Sequence, residues 1–231
     1  HRGIVRLYKN PATYKTCGIM TVKYSIKSSS MYLSTIESKG HFYLNDILND
    51  EHYKEVFNSN AVYILDKSRT GNGGTTGFIK YGMDNGMPCI VAVPNISIVE
   101  SKSSDYGDEI VCLKGDEKSE EIKNKTVVFT YEKALGILGS LIEDFVSEDN
   151  SIFGFLCHRL LIIDEAHLLV TDRDYRDMEV ILNAVHKWKG PVLFMSATIN
   201  DEISNYIEDI NSKHVRKWKI DYPERQQCGY Y

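Results

Sequence analysis

The sequence predicts an α/β fold: a doubly wound domain with a central, mostly parallel β-sheet flanked by helices. From residue 61 onward, short apolar runs alternate with longer amphipathic segments. The runs are apolar at nearly every position rather than every second one, as strands covered on both faces require. A glycine-rich turn and a pair of acids each follow such a run, at the carboxyl ends where doubly wound sheets bind their ligands.

The runs are "AVYILD" (61–66), "CIVAV" (89–93), "EIVCL" (109–113), "TVVFT" (126–130), "RLLIID" (159–164) and "PVLFM" (191–195). Each is rich in β-branched residues and bounded by polar, Gly or Pro positions, so each reads as a buried strand. Between them the spacing predicts helices over 75–82, 96–103, 117–123, 131–147, 174–188 and 201–210. "LGILGSLIEDF" (135–145) carries its apolar residues at helical spacing and reads as core. "KHVRKW" (213–218) reads as a basic strand, charged as an exposed edge strand is.

Residues 1–60 lack this rhythm and predict a small N-terminal β-containing extension ahead of a domain over 61–231. "GIMTVKYSI" (18–26) reads as its strand, and a short helix falls near 44–57. Residues 1–36 hold six basic side chains and no acid, interleaved with Tyr8, Tyr14, Tyr24 and Tyr32. Such a mixture suits phosphate contacts and base stacking, and equally suits a solvated β-rich surface.

With 231 residues and 42% hydrophobic content the chain can bury a substantial core. No apolar run reaches membrane-spanning length and no leader pattern opens the chain, so it reads as intracellular. The five cysteines are scattered without a C-x-x-C pair, which argues against a disulfide framework and a zinc site. The lysine-, isoleucine-, asparagine- and tyrosine-rich composition suits an AT-rich genome of viral type, which would place the protein in a host cytoplasm.

The turn "SRTGNGGTTGF" (68–78) resembles the phosphate-loop pattern G-x-x-x-x-G-K-[ST] with Gly74 in the lysine slot. Backbone N–H groups from Gly71 through Thr76 can still wrap phosphate, since that part needs no side chain. The missing charge is worth about 3–4 kcal/mol on a developing phosphoryl charge. Lys67 and Arg69 are the local candidates to replace it, whereas Lys80, farther down the helix, points away; an arginine from another domain or a partner would also serve. Thr75 keeps the hydroxyl position that reaches Mg²⁺. In "LLIIDEAH" (160–167) a buried strand delivers Asp164, suited to hold Mg²⁺ through water, and Glu165, suited to orient or deprotonate an attacking water. In "VLFMSATI" (192–199), Ser196 and Thr198 can bond across strand ends to the acids.

Taken in order, "SRTGNGGTT", "IVAVPNISIVES" (90–101), "VVFTYEKALGIL" (127–138), "DEAH" and "SAT" resemble the motifs of the first RecA-like domain of a superfamily 2 DEAH/DEAD-like helicase or translocase. The resemblance implies a RecA-like P-loop NTPase fold, ATP and Mg²⁺ as ligands, and DNA or RNA as partner. It implies a second RecA-like domain as well, in a longer chain or a partner subunit. By position it makes Arg69, Thr70, Gly71, Asn72, Gly73, Gly74, Thr75, Thr76 and Lys67 nucleotide-binding, and Asp164 and Glu165 catalytic. Thr75 and Asp164 become the metal holders, and His167, Ser196 and Thr198 the coupling residues. Pro94, Asn95, Thr130 and Tyr131 become contacts to the nucleic-acid backbone. Two departures, Gly74 and the absence of a second such domain up to residue 231, leave a second reading open: a helicase-like scaffold or nucleotide-sensing module in a replication, transcription or packaging assembly. A viral DNA-packaging ATPase fits "DEAH…SAT" less closely.

Overall fold

The structure, a computed structural model, describes residues 32–113, 122, 124–134, 156–171, 181, 185–210 and 213–222. Eight strands form one sheet in the order β1-β8-β2-β7-β6-β3-β5-β4, every neighbouring pair parallel. They are β1 (Tyr32–Glu37), β2 (Val62–Asp66), β3 (Ile90–Val93), β4 (Ile110–Leu113), β5 (Thr126–Thr130), β6 (Leu161–Asp164), β7 (Val192–Ser196) and β8 (Val215–Asp221). The helices used below are α1 (Leu44–Ile47), α2 (Asp50–Asn58), α3 (Gly74–Asp84), α4 (Ile96–Tyr106), α5 (Leu168–Thr171) and α6 (Asp201–Ile210).

The central strands β2, β3, β6 and β7 are buried at every position, which is why their sequences are continuously apolar. Alternate residues serve opposite faces. Val62, Ile64, Ile163 and Phe194 join one core layer with Trp188, Ile203 and Ile207. Tyr63, Leu65, Ile162 and Met195 join the other with Leu44, Tyr53, Val56, Phe78 and Ile79. Local chemistry fixes where the helices start. Asn49 accepts the His52 N–H while the His52 ring accepts the Asn49 N–H, a reciprocal cap on α2. Asn200 accepts the Ile203 N–H ahead of α6, whose first turn carries Asp201 and Glu202 against the helix dipole.

β1 pairs with β8 along its whole length, so the sheet takes in residues from Tyr32 onward. One expectation changes. The basic strand β8 is accordingly internal, lying between β1 and β2, and is not an edge. Its charges are used in packing: Lys217 is buried and donates to Ser204 Oγ at 2.8 Å, and Arg216 pairs with Glu55 over the Tyr63 ring. A basic edge strand and a basic internal strand look alike in sequence when the covering strand comes from far upstream. The strand over 18–26 and most of the helices over 117–123, 131–147 and 174–188 lie outside the described residues.

Cys89, Cys112 and Cys157 are free thiols, and burial pushes the Cys89 thiol up to about 12, which makes it inert. Among the described residues no helix is long and apolar enough to cross a membrane.

Phe194 is fully buried on β7, two residues before Ser196. Phe194→Ala is expected to cost about 3–5 kcal/mol, read as a lowered urea midpoint; a loss below about 1 kcal/mol would show that this layer does not hold the strand in place.

Candidate nucleotide site

The carboxyl ends of β2, β6 and β7 converge on one point. Their register places Asp66 beside Ser196 and Asp164 beside Met195. Backbone bonds extend the alignment past the strands: Lys67 N–H donates to Ser196 O at 2.8 Å and Ala166 N–H to Met195 O at 2.9 Å. The glycine loop leaves from the end of β2. Asp66 Oδ1 accepts the Ser68 N–H, an Asx turn that starts the loop with Ser68 at φ 54°. Gly71 and Gly73 take the positive φ values of 68° and 75° that turn the chain into α3.

At the centre of the site is Lys67, 4% exposed. Its Nζ lies 3.0 Å from Asp164 Oδ1 and 3.0 Å from Glu165 Oε1. Thr75, in the first turn of α3, donates to Asp164 Oδ2 at 2.6 Å. The lysine stem passes beside Gly74: a Cβ at that position would lie 3.2 Å from Lys67 Cδ and 2.9 Å from Leu44 Cδ1. The stem of Lys67, from the end of the preceding strand, thus occupies the space beside Gly74.

Burial alone would lower the Lys67 pKa. The Asp164 and Glu165 charges, with the hydrogen bonds they accept, together outweigh that effect and raise it. The ammonium is thus charged throughout the neutral range. Glu165 itself sits at φ 54°, a conformation costing about 1–2 kcal/mol for a non-glycine residue. It is held there by Lys67 and by its own N–H, which donates to Asp164 Oδ1 at 3.1 Å. Strain of this kind collects at functional positions.

A chain of polar groups runs on to β7. His167 Nδ1 is 2.8 Å from Ser196 Oγ and 3.4 Å from Glu165 Oε2. Ser196 Oγ is 3.3 Å from Thr198 Oγ1 and accepts the Thr198 N–H at 3.1 Å. A cavity of about 480 Å³ opens in front, lined by Phe42, Ser68, Arg69, Thr70, Ala197 and Thr198.

The sequence profile of the DEAD/DEAH box helicase family matches residues 55–206, more than half of the 231-residue chain. The chain belongs to the DEAD/DEAH box helicase family. The DEAD-box helicase Mss116, bound to ssRNA and UDP-BeF, shares the fold with a TM-score of 0.55 at 17% identity, over 78% of this chain and 40% of that one. Mss116p lacking its NTE and C-tail, bound to ssRNA and AMP-PNP, gives 0.50 at 17% identity, over 71% and 37%. The helicase domain of Hef from Pyrococcus furiosus gives 0.48 at 17%, over 73% and 36%. The chain thus spans 36% to 40% of the lengths of these three. No curated protein sequence matches it.

Within this helicase-family module the structure gathers Lys67, Thr75, Asp164, Glu165, His167, Ser196 and Thr198 into one cluster, in keeping with their sequence spacing. Asn72 is buried and works within the loop instead of facing outward: its Nδ2 donates to Lys67 O at 3.3 Å and to Tyr222 Oη at 3.1 Å. Arg69 is stacked 4.2 Å from the Tyr222 ring centroid, so it does not join the acids. Lys80 is exposed and points away, as the sequence indicates.

Three of the four nucleic-acid candidates are buried. Tyr131 is fully buried and its hydroxyl donates to the Asp164 carbonyl, so it supports the acidic motif from beneath and offers no surface. Pro94 and Thr130 are also buried, with Thr130 Oγ1 accepting the Lys133 N–H. Only Asn95 is exposed, and its Oδ1 caps α4 by accepting from Ile98 N and Ser97 Oγ. Position in a motif gives the strand end but not the direction in which the next side chain turns. Sequence reasoning missed Tyr222, which touches Asn72 from just past β8, and Lys102 and Tyr106, which touch Thr76 from α4, because their spacing from residue 68 carries no local pattern.

The raised Lys67 pKa sets the pH window of its contribution. That contribution is fully present below the unfolded lysine value and is lost as pH rises through the higher folded value. The stability difference between wild type and Lys67→Met is therefore expected to stay constant from about pH 6 to 9 and to shrink above about pH 10.5, as read from urea midpoints. A difference that shrinks near neutrality would refute the ion-pair geometry.

Proposed function

We propose that this chain is the ATP-binding module of a helicase or nucleic-acid translocase, with Lys67 acting as the lysine of its phosphate loop. The observation that carries this reading is the reach of Lys67 Nζ to both Asp164 and Glu165. An ammonium has three donors; two are spent on the carboxylates, which leaves one for a phosphate oxygen. The N–H groups of the loop and of the α3 N-terminus supply the remaining phosphate contacts.

The oxygen donors of Thr75 and Asp164, on a site with one further carboxylate, fit a hard cation shared with substrate phosphates. Such an ion, when bound, would offset the charge of the substrate phosphates. Thr75 and Asp164 would hold it, Asp164 through water. Glu165 would orient the attacking water and accept its proton, and His167, Ser196 and Thr198 would relay the state of that carboxylate toward bound DNA or RNA. Turnover and strand movement would draw on a second RecA-like domain, in the same longer chain or in a partner.

Gly74 favours a second reading, in which the fold binds nucleotide as a sensor or scaffold in a replication, transcription or packaging assembly without significant turnover.

Calorimetry of Mg-ATP on the full chain tests the first reading. Binding should weaken about 10- to 100-fold in Lys67→Met, as loss of a charge-assisted bond predicts, and disappear in Asp164→Ala. Gly74→Lys alone should not strengthen binding, because Leu44 and Lys67 occupy its space. Equal ATP affinity in wild type and Lys67→Met would end the claim for Lys67. Binding without hydrolysis after addition of nucleic acid and the completed protein would favour the sensor.

A further inference from the structure

We infer that Tyr222 is a positioning residue of the nucleotide site: it latches the phosphate loop to the end of β8, through Asn72, and so holds the loop open for phosphate. The inference rests on the ATP-site reading of residues 67–76. Tyr222 lies half-buried just past β8. Its hydroxyl accepts from Asn72 Nδ2 at 3.1 Å and donates to Phe42 O at 3.3 Å. The Arg69 guanidinium covers its ring at 4.2 Å from the centroid, which fixes where the hydroxyl points. Two residues earlier the same segment is tied to the loop again, since Ser68 Oγ donates to Ile220 O at 2.8 Å. Ser68, Arg69 and Asn72 are thus all fastened to residues 220–222.

The loop needs anchors from outside because its own backbone does not fix its path. The N–H groups of Arg69, Thr70, Gly71, Asn72 and Gly73 find no acceptor among the described residues. Successive unspent N–H groups suit an anion, yet they leave a glycine-rich segment free to take other paths. Asn72 supplies the constraint. Besides its bond to Tyr222, its Nδ2 donates to Lys67 O at 3.3 Å and closes the base of the loop, and its carbonyl accepts the Leu44 N–H at 2.8 Å. Its Oδ1 is buried and receives no donor. An orphaned acceptor of this kind is costly, so the amide is not placed for its own satisfaction. Turning it over would set Oδ1 against Lys67 O, acceptor on acceptor. The amide therefore keeps both N–H bonds, and Tyr222 is the one of its two partners that comes from outside the loop. A loop already on its bound path saves the cost of ordering when ligand arrives, so loss of the latch appears as weaker nucleotide binding.

The test is a double-variant cycle on the full chain, read as the Mg-ATP dissociation constant by calorimetry. Tyr222→Phe keeps the ring beneath Arg69 and removes only the hydroxyl; it should weaken ATP binding about 3- to 10-fold, the net worth of one hydrogen bond. Asn72→Ala should weaken it at least as much. Adding Tyr222→Phe to Asn72→Ala should then cost nothing further, because the hydroxyl acts through that amide. Arg216→Met, which removes the pair with Glu55 from the same strand, should bind ATP as wild type does. A purely structural role for Tyr222 would make the two losses add in the double variant, which overturns the inference. Wild-type affinity in Tyr222→Phe overturns it too while leaving the ATP site standing. A wild type that binds no ATP overturns both.

Discussion

Two adjacent carboxylates at the end of a buried strand are tolerable only because one ammonium sits between them. Asp164 and Glu165 project from β6 into a region closed by β2, β7 and α3, and Lys67 bridges both at 3.0 Å. Removing such a partner leaves buried charge uncompensated, which costs more than the intact pair contributes. The surrounding features serve this contact. The parallel register of β2, β7 and β6 brings the strand ends level. Glu165 is held at φ 54° partly by the lysine it contacts, and Tyr131 braces the Asp164 carbonyl from below.

The same arrangement joins three strand ends into one polar circuit. Thr75 on α3 and Lys67 on β2 touch Asp164, Glu165 approaches His167, and His167 touches Ser196 on β7, which bonds Thr198. The contacts of Lys67 and Thr75 to Asp164 and of His167 to Ser196 cross between elements, so none of these three can form before the sheet is assembled. This is why the polar residues stand at carboxyl ends and the apolar ones lie within the strands: the sheet interior supplies rigidity, and only its rim can offer charged groups to a ligand.

Much of this was legible in the sequence, for reasons that differ by feature. The central strands could be located because burial on both faces leaves an unbroken apolar run, as in "LLIID". The loop, the acids and the hydroxyls could be assigned because each follows such a run, and Lys67 could be nominated because it is adjacent to the loop. What escaped was set by tertiary neighbours. Nothing in "KHVRKW" tells that β1, from far upstream, will cover it and make Lys217 a buried residue. Nothing in "VVFTY" tells that Tyr131 turns inward under Asp164 while Asn95, after the neighbouring strand, stays exposed. The Tyr222 contact to Asn72 spans 150 residues and has no sequence pattern at all.

Gly74 is the feature that most suggests a decayed loop, and the packing argues otherwise. In a loop that had lost its purpose, the residues around the vacated lysine slot would be free to become apolar, because replacing a buried ion pair with hydrophobic side chains is often neutral or stabilising. Here the opposite arrangement holds: a lysine is kept 4% exposed, its stem fills the space beside Gly74, and its charge is directed at the two acids that chemistry at this site would use. Gly74 and the Lys67 stem thus belong to one packing arrangement. A side chain at position 74 would meet Leu44 first and the lysine stem next, so glycine there keeps both in place.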